Sequence, residues 1–242
     1  MTMKTLLAGA AAIGLATSAS AVTVDVDPFD TLFGGTDNQI TLNTGTTTAG
    51  PTVLSNGVTR SVEFTIVGNN SAGQSNSAQL EIANGQFTVS NQADVESSTE
   101  LTYDVGSLFD QAVIDSNGAA TGSLDILTVF ADLTRILTLT VNGTEADSVV
   151  VQQQVGDSIG GNPVGPQQLT TSLNFDTDLL SGAGDDIITL SILGSAGLDY
   201  TIEILSANFE NVPNVDVPAP GALGLLGLGV LGLGLARRRK AA

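Results

Sequence analysis

The chain has 242 residues, a formal net charge of -18, and no cysteine, histidine or tryptophan. That composition excludes disulfide frameworks, thiol nucleophiles, Ser-His-Asp triads and imidazole metal sites. Of the seven basic residues only Arg60 and Arg135 lie between Val22 and Val217, a stretch that holds all 25 acids and so carries a net charge of -23, which excludes nucleic acid as a partner.

The first 21 residues, MTMKTLLAGAAAIGLATSASA, place Lys4 before an apolar run from Leu6 to Ala16 and end on small residues. A basic start, a short apolar middle and an A-x-A site are the parts of a secretory signal peptide, with cleavage expected after Ala21. The segment that follows has a period of two. In Thr59 to Val67, Val62, Phe64 and Ile66 alternate with polar residues, and Arg60 is assigned to the polar side with Ser61, Glu63 and Thr65. Ser77–Ile82, Leu101–Val105, Leu137–Val141, Leu169–Phe175, Ile187–Leu193 and Leu198–Leu205 read the same way, as half-buried strands. Asn84-Gly85 and Asn142-Gly143 each sit between two such runs and predict tight hairpins, because both residues of that turn need positive φ. Asn56-Gly57 and Asn117-Gly118 are further turn signals. The single helix candidate is Ser123–Leu133, and its first half favours a strand. Asn43–Pro51 and Gly68–Asn76 read as surface loops without a packed partner.

Many short strands with one polar face and Gly/Asn punctuation predict an all-β fold, an antiparallel β-sandwich of jelly-roll-like type, over residues 22–211. Val212–Val217 is a short linker. No fixed repeat period emerges, which argues against a regular solenoid.

These residues are open to three kinds of site. Ser181-Gly-Ala-Gly-Asp-Asp-Ile-Ile-Thr189 resembles one copy of the RTX nonapeptide, a family in which consecutive copies supply calcium ligands to one another. Asp176, Asp178, Asp185 and Asp186 are therefore the calcium candidates, with Asp25, Asp27 and Asp30 a second acidic group; ordinary turn chemistry explains Gly-Asp-Asp equally well. A glycan site is open to a sandwich, yet Tyr103 and Tyr200 fall on inward faces beside Leu101, Val105, Leu198 and Ile202, so they read as core rather than as a sugar platform. Ice binding is a minor alternative prompted by Thr44–Thr48, Thr138 and Thr140, but a flat threonine array needs repetition across strands and none is visible. Catalytic residues are not expected, since no serine or threonine lies in a G-x-S-x-G elbow or beside a plausible base, and among 25 acids chance carboxylate pairs are inevitable.

The C-terminal segment reads VPAPGALGLLGLGVLGLGLARRRKAA. Gly221 to Ala236 has no charge and spans about 24 Å as a helix, short against a hydrocarbon core of about 30 Å. The cluster Arg237, Arg238, Arg239, Lys240 would hold its end on the cytoplasmic side. Val217, Pro218, Ala219 and Pro220, then the Gly/Leu-rich run, then the arginines resemble the PEP-CTERM sorting signal of exported bacterial proteins, with Ala219 where that family usually has glutamate. The resemblance implies transient passage through the inner membrane, recognition by an exosortase-type protease, cleavage near Pro-Ala-Pro and delivery to the cell surface. The expected function is a structural or adhesive surface protein of an exopolysaccharide-rich biofilm, with a calcium- or glycan-binding module as the alternative.

Overall fold

Twelve consecutive residues, Val95 to Gly106, show how the alternation builds the fold. Val95, Leu101, Tyr103 and Val105 are buried together with Ser97 and Thr99, while Glu96, Ser98, Glu100, Thr102 and Asp104 take the opposite face. Each buried Leu or Val side chain contributes roughly 1.5–3 kcal/mol, enough to pin the register of a strand whose one-residue slip would turn every apolar side chain to water.

The computed structural model describes residues 21–31, 38–69, 76–152, 154–156, 158–159, 162–163 and 168–211. The strands are β1 (Ala21–Asp27), β2 (Gln39–Leu42), β3 (Thr46–Val53), β4 (Thr59–Asn69), β5 (Ala78–Ala83), β6 (Gln86–Asn91) and β7 (Val95–Gly106). Helix α1 (Leu108–Asp115) follows, then β8 (Thr121–Ala131), β9 (Arg135–Val141), β10 (Thr144–Val151), the short pair β11 (Ser158–Ile159) and β12 (Asn162–Pro163), β13 (Leu169–Asp176), β14 (Asp186–Gly194) and β15 (Asp199–Glu210). One sheet has the order β13-β8-β15-β6-β5-β2, with β1 also paired to β15; the other has the order β10-β9-β14-β7-β4-β3. Every pairing is antiparallel, and the chain repeatedly crosses from one sheet to the other. The result is an antiparallel sandwich whose buried apolar residues run from Val26 to Phe209.

Both expected hairpins form. Ala83 pairs with Gln86 and Val141 with Thr144, and Asn84, Gly85, Asn142 and Gly143 all have positive φ. Ser123–Leu133 is strand as far as Ala131. Three expectations need correction. Asn43–Pro51 is not a free loop, because Thr46–Val53 pairs with β4 as an edge strand, held by backbone bonds that ask for no apolar alternation. Leu108–Asp115 is a helix that the strand-centred reading passed over; Phe109 and Ala112 bury its inner face, and Asn117 and Gly118, both at positive φ, end it through Gly118 N–H donating to Val113 O at 2.8 Å. Arg60 is not on the polar face, since it shares the parity of Val62 and Phe64 and is buried with them.

Arg60 is part of a charged knot that ties β1 to the opposite sheet. Its Nη1 donates to Asp27 Oδ2 at 2.7 Å, its Nη2 to Thr31 O at 2.6 Å, and its guanidinium carbon lies 6.0 Å from the centre of the Phe29 ring. Asp27 also accepts from Tyr103 Oη at 3.0 Å and Phe29 N–H at 2.8 Å. Burial pushes the Asp27 carboxyl above the ordinary value of 3.8, and Arg60, Phe29 and Tyr103 pull it down without prevailing. Burial and the neighbouring Asp27 push the Tyr103 hydroxyl well above its ordinary value.

The raised aspartate has a defined consequence for pH. An acid whose folded-state value lies above its unfolded one binds its proton first in the folded state, so stability is gained as pH falls through the window above 3.8 and lost as pH rises through it. Repulsion within the acidic body acts with the same sign. The melting temperature should therefore rise as the pH is lowered into the window just above 3.8. Salt screens exposed charges far more than buried ones, so the part of the rise that survives high salt belongs to Asp27. Calorimetry at both salt levels reads this, and a melting temperature that falls over the same range refutes the assignment.

Candidate functional site

The two ends of the described chain lie side by side. Ala21, the expected signal cleavage point, is the first residue of β1 and pairs with Glu210, while Val22 pairs with Phe209. Asn211, where the described residues stop, donates from Nδ2 to Asn117 O at 2.8 Å. The linker 212–217, the sorting residues Val217, Pro218, Ala219, Pro220, Arg237, Arg238 and Arg239, and the apolar segment 221–236 lie outside the described residues, as does the signal segment up to residue 20. Among the described residues no helix is long and apolar enough to cross a membrane.

The calcium candidates divide by environment. Asp186 is fully buried at the start of β14, and its Oδ1 accepts from Ser181 N–H at 2.6 Å and Asn142 Nδ2 at 2.8 Å, closing the Ser181–Asp186 turn against the β9–β10 hairpin. Asp176, Asp178 and Asp185 are exposed. Gly184 N–H donates instead to Asp110 Oδ2 on α1, at 3.2 Å. In the second acidic group, Asp27 belongs to the buried knot, and Asp30 accepts from the hydroxyls of Thr31 and Ser55. No group of three or more carboxylates among the described residues is placed to hold a metal ion. Tyr103 and Tyr200 are both buried, as their inward faces require, and Tyr200 Oη donates to Thr99 Oγ1 at 3.0 Å.

What the linear sequence conceals is the outer face of the β10-β9-β14-β7-β4-β3 sheet. Pairing aligns Ser61, Thr102, Thr189 and Thr140 in one row across four strands, and Glu63, Glu100, Ser191 and Thr138 in the next. Thr138 and Ser148 extend the second row through a 3.0 Å hydroxyl contact. Where these rows reach β3 they open into a groove of about 310 Å³ lined by Thr48, Gly50, Ser61, Glu63, Glu100 and Thr102. A break in register between Ala49 and Thr52 bends β3 and shapes the groove's edge. Gly50 is required there: its φ is +101°, and a Cβ would meet Arg60 O at 2.7 Å.

The groove's side chains have nothing of their own to bind. Thr48, Ser61, Glu63, Glu100 and Thr102 make no side-chain hydrogen bond or ion pair to any described residue. A second groove, of about 350 Å³, lies between Asn56–Thr59 and Asp104–Leu108, and two of its polar side chains, Asn56 and Asp104, are already engaged. Asn56 Nδ2 donates to Asp25 O and Val26 O, and Asp104 Oδ1 accepts from Gly106 N–H. Cation placement completes the electrostatics: Arg60 and Arg135, the only basic residues between Val22 and Val217, are 1% and 2% exposed, so the body presents carboxylates and hydroxyls without a single exposed cation.

Residues 216–240 match the family model of the PEP-CTERM protein-sorting motif. The tail is a PEP-CTERM sorting motif. The match opens at Asp216, one residue before the Val217 from which the resemblance was drawn, and ends on Lys240. A PEP-CTERM motif implies recognition by an exosortase, with export across the inner membrane and sorting to the cell surface. The motif covers only the tail, and the family of the sandwich is not identified by it. No curated protein is a recognisable sequence relative of the chain.

Among solved structures the sandwich is similar to a family 35 carbohydrate-binding module from Clostridium thermocellum, at 11% identity and a TM-score of 0.32 over 78% of this chain and 97% of that one. It is also similar to a family 29 carbohydrate-binding module in complex with mannohexaose, at 12% identity and a TM-score of 0.31 over 60% of this chain and 90% of that one. A third is the CBM36-1 domain of a multidomain xylanase from the hindgut metagenome of Trinervitermes trinervoides, at 16% identity and a TM-score of 0.29 over 60% of this chain and 95% of that one. Likenesses this loose carry no function across.

Proposed function

We propose that this exported protein is a non-enzymatic adhesive module that holds polysaccharide of an extracellular matrix on the groove between β3 and β7. The observation that carries the reading is the set of five unpartnered hydroxyl and carboxylate side chains lining a groove of about 310 Å³. That volume lies at the lower end of ligand sites, and polar groups held on strands with no internal partner suit a ligand dense in hydroxyls. Without exposed aromatic rings of Tyr or Trp, recognition rests on hydrogen bonds, which favours weak, repeated engagement along a polymer. A body of charge -23 repels polyanionic chains.

Binding without cleavage follows from the same residues. Hydrolysis by a carboxylate pair needs a desolvated acid beside an ionised partner, and Glu63 and Glu100 both stand in solvent. The threonine row does not suggest ice binding either, because the twist of the sheet rotates each strand by about 20–25° against the next, so the rows do not form a flat template.

Two measurements test the reading. Affinity electrophoresis of the body through gels containing matrix polysaccharide should show retardation that is lost in Gly50→Ala, which disturbs the groove's edge; equal mobility with and without polysaccharide refutes binding. Mass spectrometry of the protein recovered from the cell surface should find a chain that begins near Val22 and ends near Pro220. Surface protein that retains Arg237–Arg239 would count against processing.

A further inference from the structure

Resting on the polysaccharide reading above, we infer that the groove selects an amino sugar, with the sugar's ammonium group seated between Glu63 and Glu100. Three observations lead there. First, Glu63 of β4 and Glu100 of β7 are direct cross-strand partners, which places their Cβ atoms about 4.5–5.5 Å apart and sets like charges against each other. Such a pair is destabilising unless something cationic lies between its members.

Second, nothing in the body supplies that cation. Thr48 flanks Glu63 on one side and Ser191 flanks Glu100 on the other. The nearest basic residue along the chain, Arg60, is on the inner face and committed to Asp27 and Thr31. Arg135 is buried as well. Third, the two carboxylates do not stand alone: Thr48, Ser61 and Thr102 line the same groove, and each hydroxyl can both donate and accept.

Those features divide the task of recognition. An ammonium carries three donors and can bridge both carboxylates through charge-assisted bonds, which are about twice as strong as neutral ones. The ring hydroxyls of the same sugar meet Ser61, Thr48 and Thr102. A neutral hexose would satisfy the hydroxyls and leave the two charges opposed, and a uronic acid would add a third negative charge. An N-acetylated sugar loses the ammonium and belongs with the neutral case.

The decisive experiment is calorimetric titration of the body, whose core lies within residues 21–211, with glucosamine oligosaccharides and with their fully N-acetylated counterparts. The free amine should bind roughly tenfold tighter or better, and Glu63→Gln and Glu100→Gln should each remove most of that preference. Both glutamates are exposed, so these variants should melt no lower than the parent, which separates lost binding from lost fold. Equal affinity for the two oligosaccharides would overturn the amino-sugar preference and leave the polysaccharide reading standing. Binding of neither overturns both. Polylysine competing as well as the sugar amine, with the same dependence on the glutamates, would overturn sugar selection in favour of a general cation site.

Discussion

Replacing Asp27 with alanine is expected to cost the fold about 3–5 kcal/mol, the range seen when one partner of a buried ion pair is removed and the other is left uncompensated. Arg60 would remain 1% exposed beside Thr31 O and the Phe29 ring, having lost the carboxylate that Nη1 binds at 2.7 Å. The loss would spread, because Phe29 N–H and the Tyr103 hydroxyl both lose their acceptor. β1 depends on that knot because, among the described residues, it pairs with a single strand, β15, and the knot is what ties it to the opposite sheet. For a body of this size the melting temperature should fall by roughly 10 °C. Combining Asp27→Leu with Arg60→Met should recover most of the loss, because apolar residues of similar volume replace buried ion pairs at little or no penalty. Thermal and urea unfolding read both; a single Asp27→Ala change worth less than about 1 kcal/mol would show that the knot is not what fastens β1.

Replacing Arg135 with methionine is expected to have the opposite sign. Arg135 is 2% exposed at the start of β9, and its Nη2 makes one long contact, 3.3 Å, to Thr128 Oγ1. Among the described residues Nη1 has no partner, and no carboxylate pairs with the guanidinium. Burial lowers its tendency to hold a proton, and the nearby Tyr200 only partly restores it. A buried cation in that state is a standing penalty, so Arg135→Met should raise stability by about 1–2 kcal/mol after the hydroxyl of Thr128 is left without its donor. The contrast with Asp27→Ala is the informative part: two buried arginines in one sandwich, one fastening a strand and the other a burden. A clear loss of stability in Arg135→Met would refute the penalty assigned to the buried guanidinium.

Much of this could be read along the chain. The β4, β9, β13 and β14 runs were legible because a strand needs only its own alternation, and the two Asn-Gly hairpins because the turn dictates residue type by φ alone. Tyr103 and Tyr200 were assigned inward by parity. The helix at Leu108–Asp115 was missed, although Leu108, Phe109, Ala112 and Val113 fall on one helical face and Asn117-Gly118 marks its end. Eight residues are too few for the period to stand out against neighbouring strands. For Arg60 charge and parity disagree: position 60 is even with 62 and 64, and burial of its charge becomes reasonable only because Asp27, 33 residues away, meets it.

The amino-acid sequence alone determined the class of the fold, the excess of acid over base and the address written in residues 216–240, since composition, local period and a linear sorting motif need no partner in space. Tertiary structure decided the rest. It turned both arginines of the body inward, leaving an outer surface without cations, and it set Glu63 opposite Glu100 through a register that neither strand carries by itself. The physical reason is that a cross-strand pair is a property of alignment between segments 37 residues apart in the chain, and that alignment is chosen by the buried faces of β4 and β7, not by the exposed residues that form the groove.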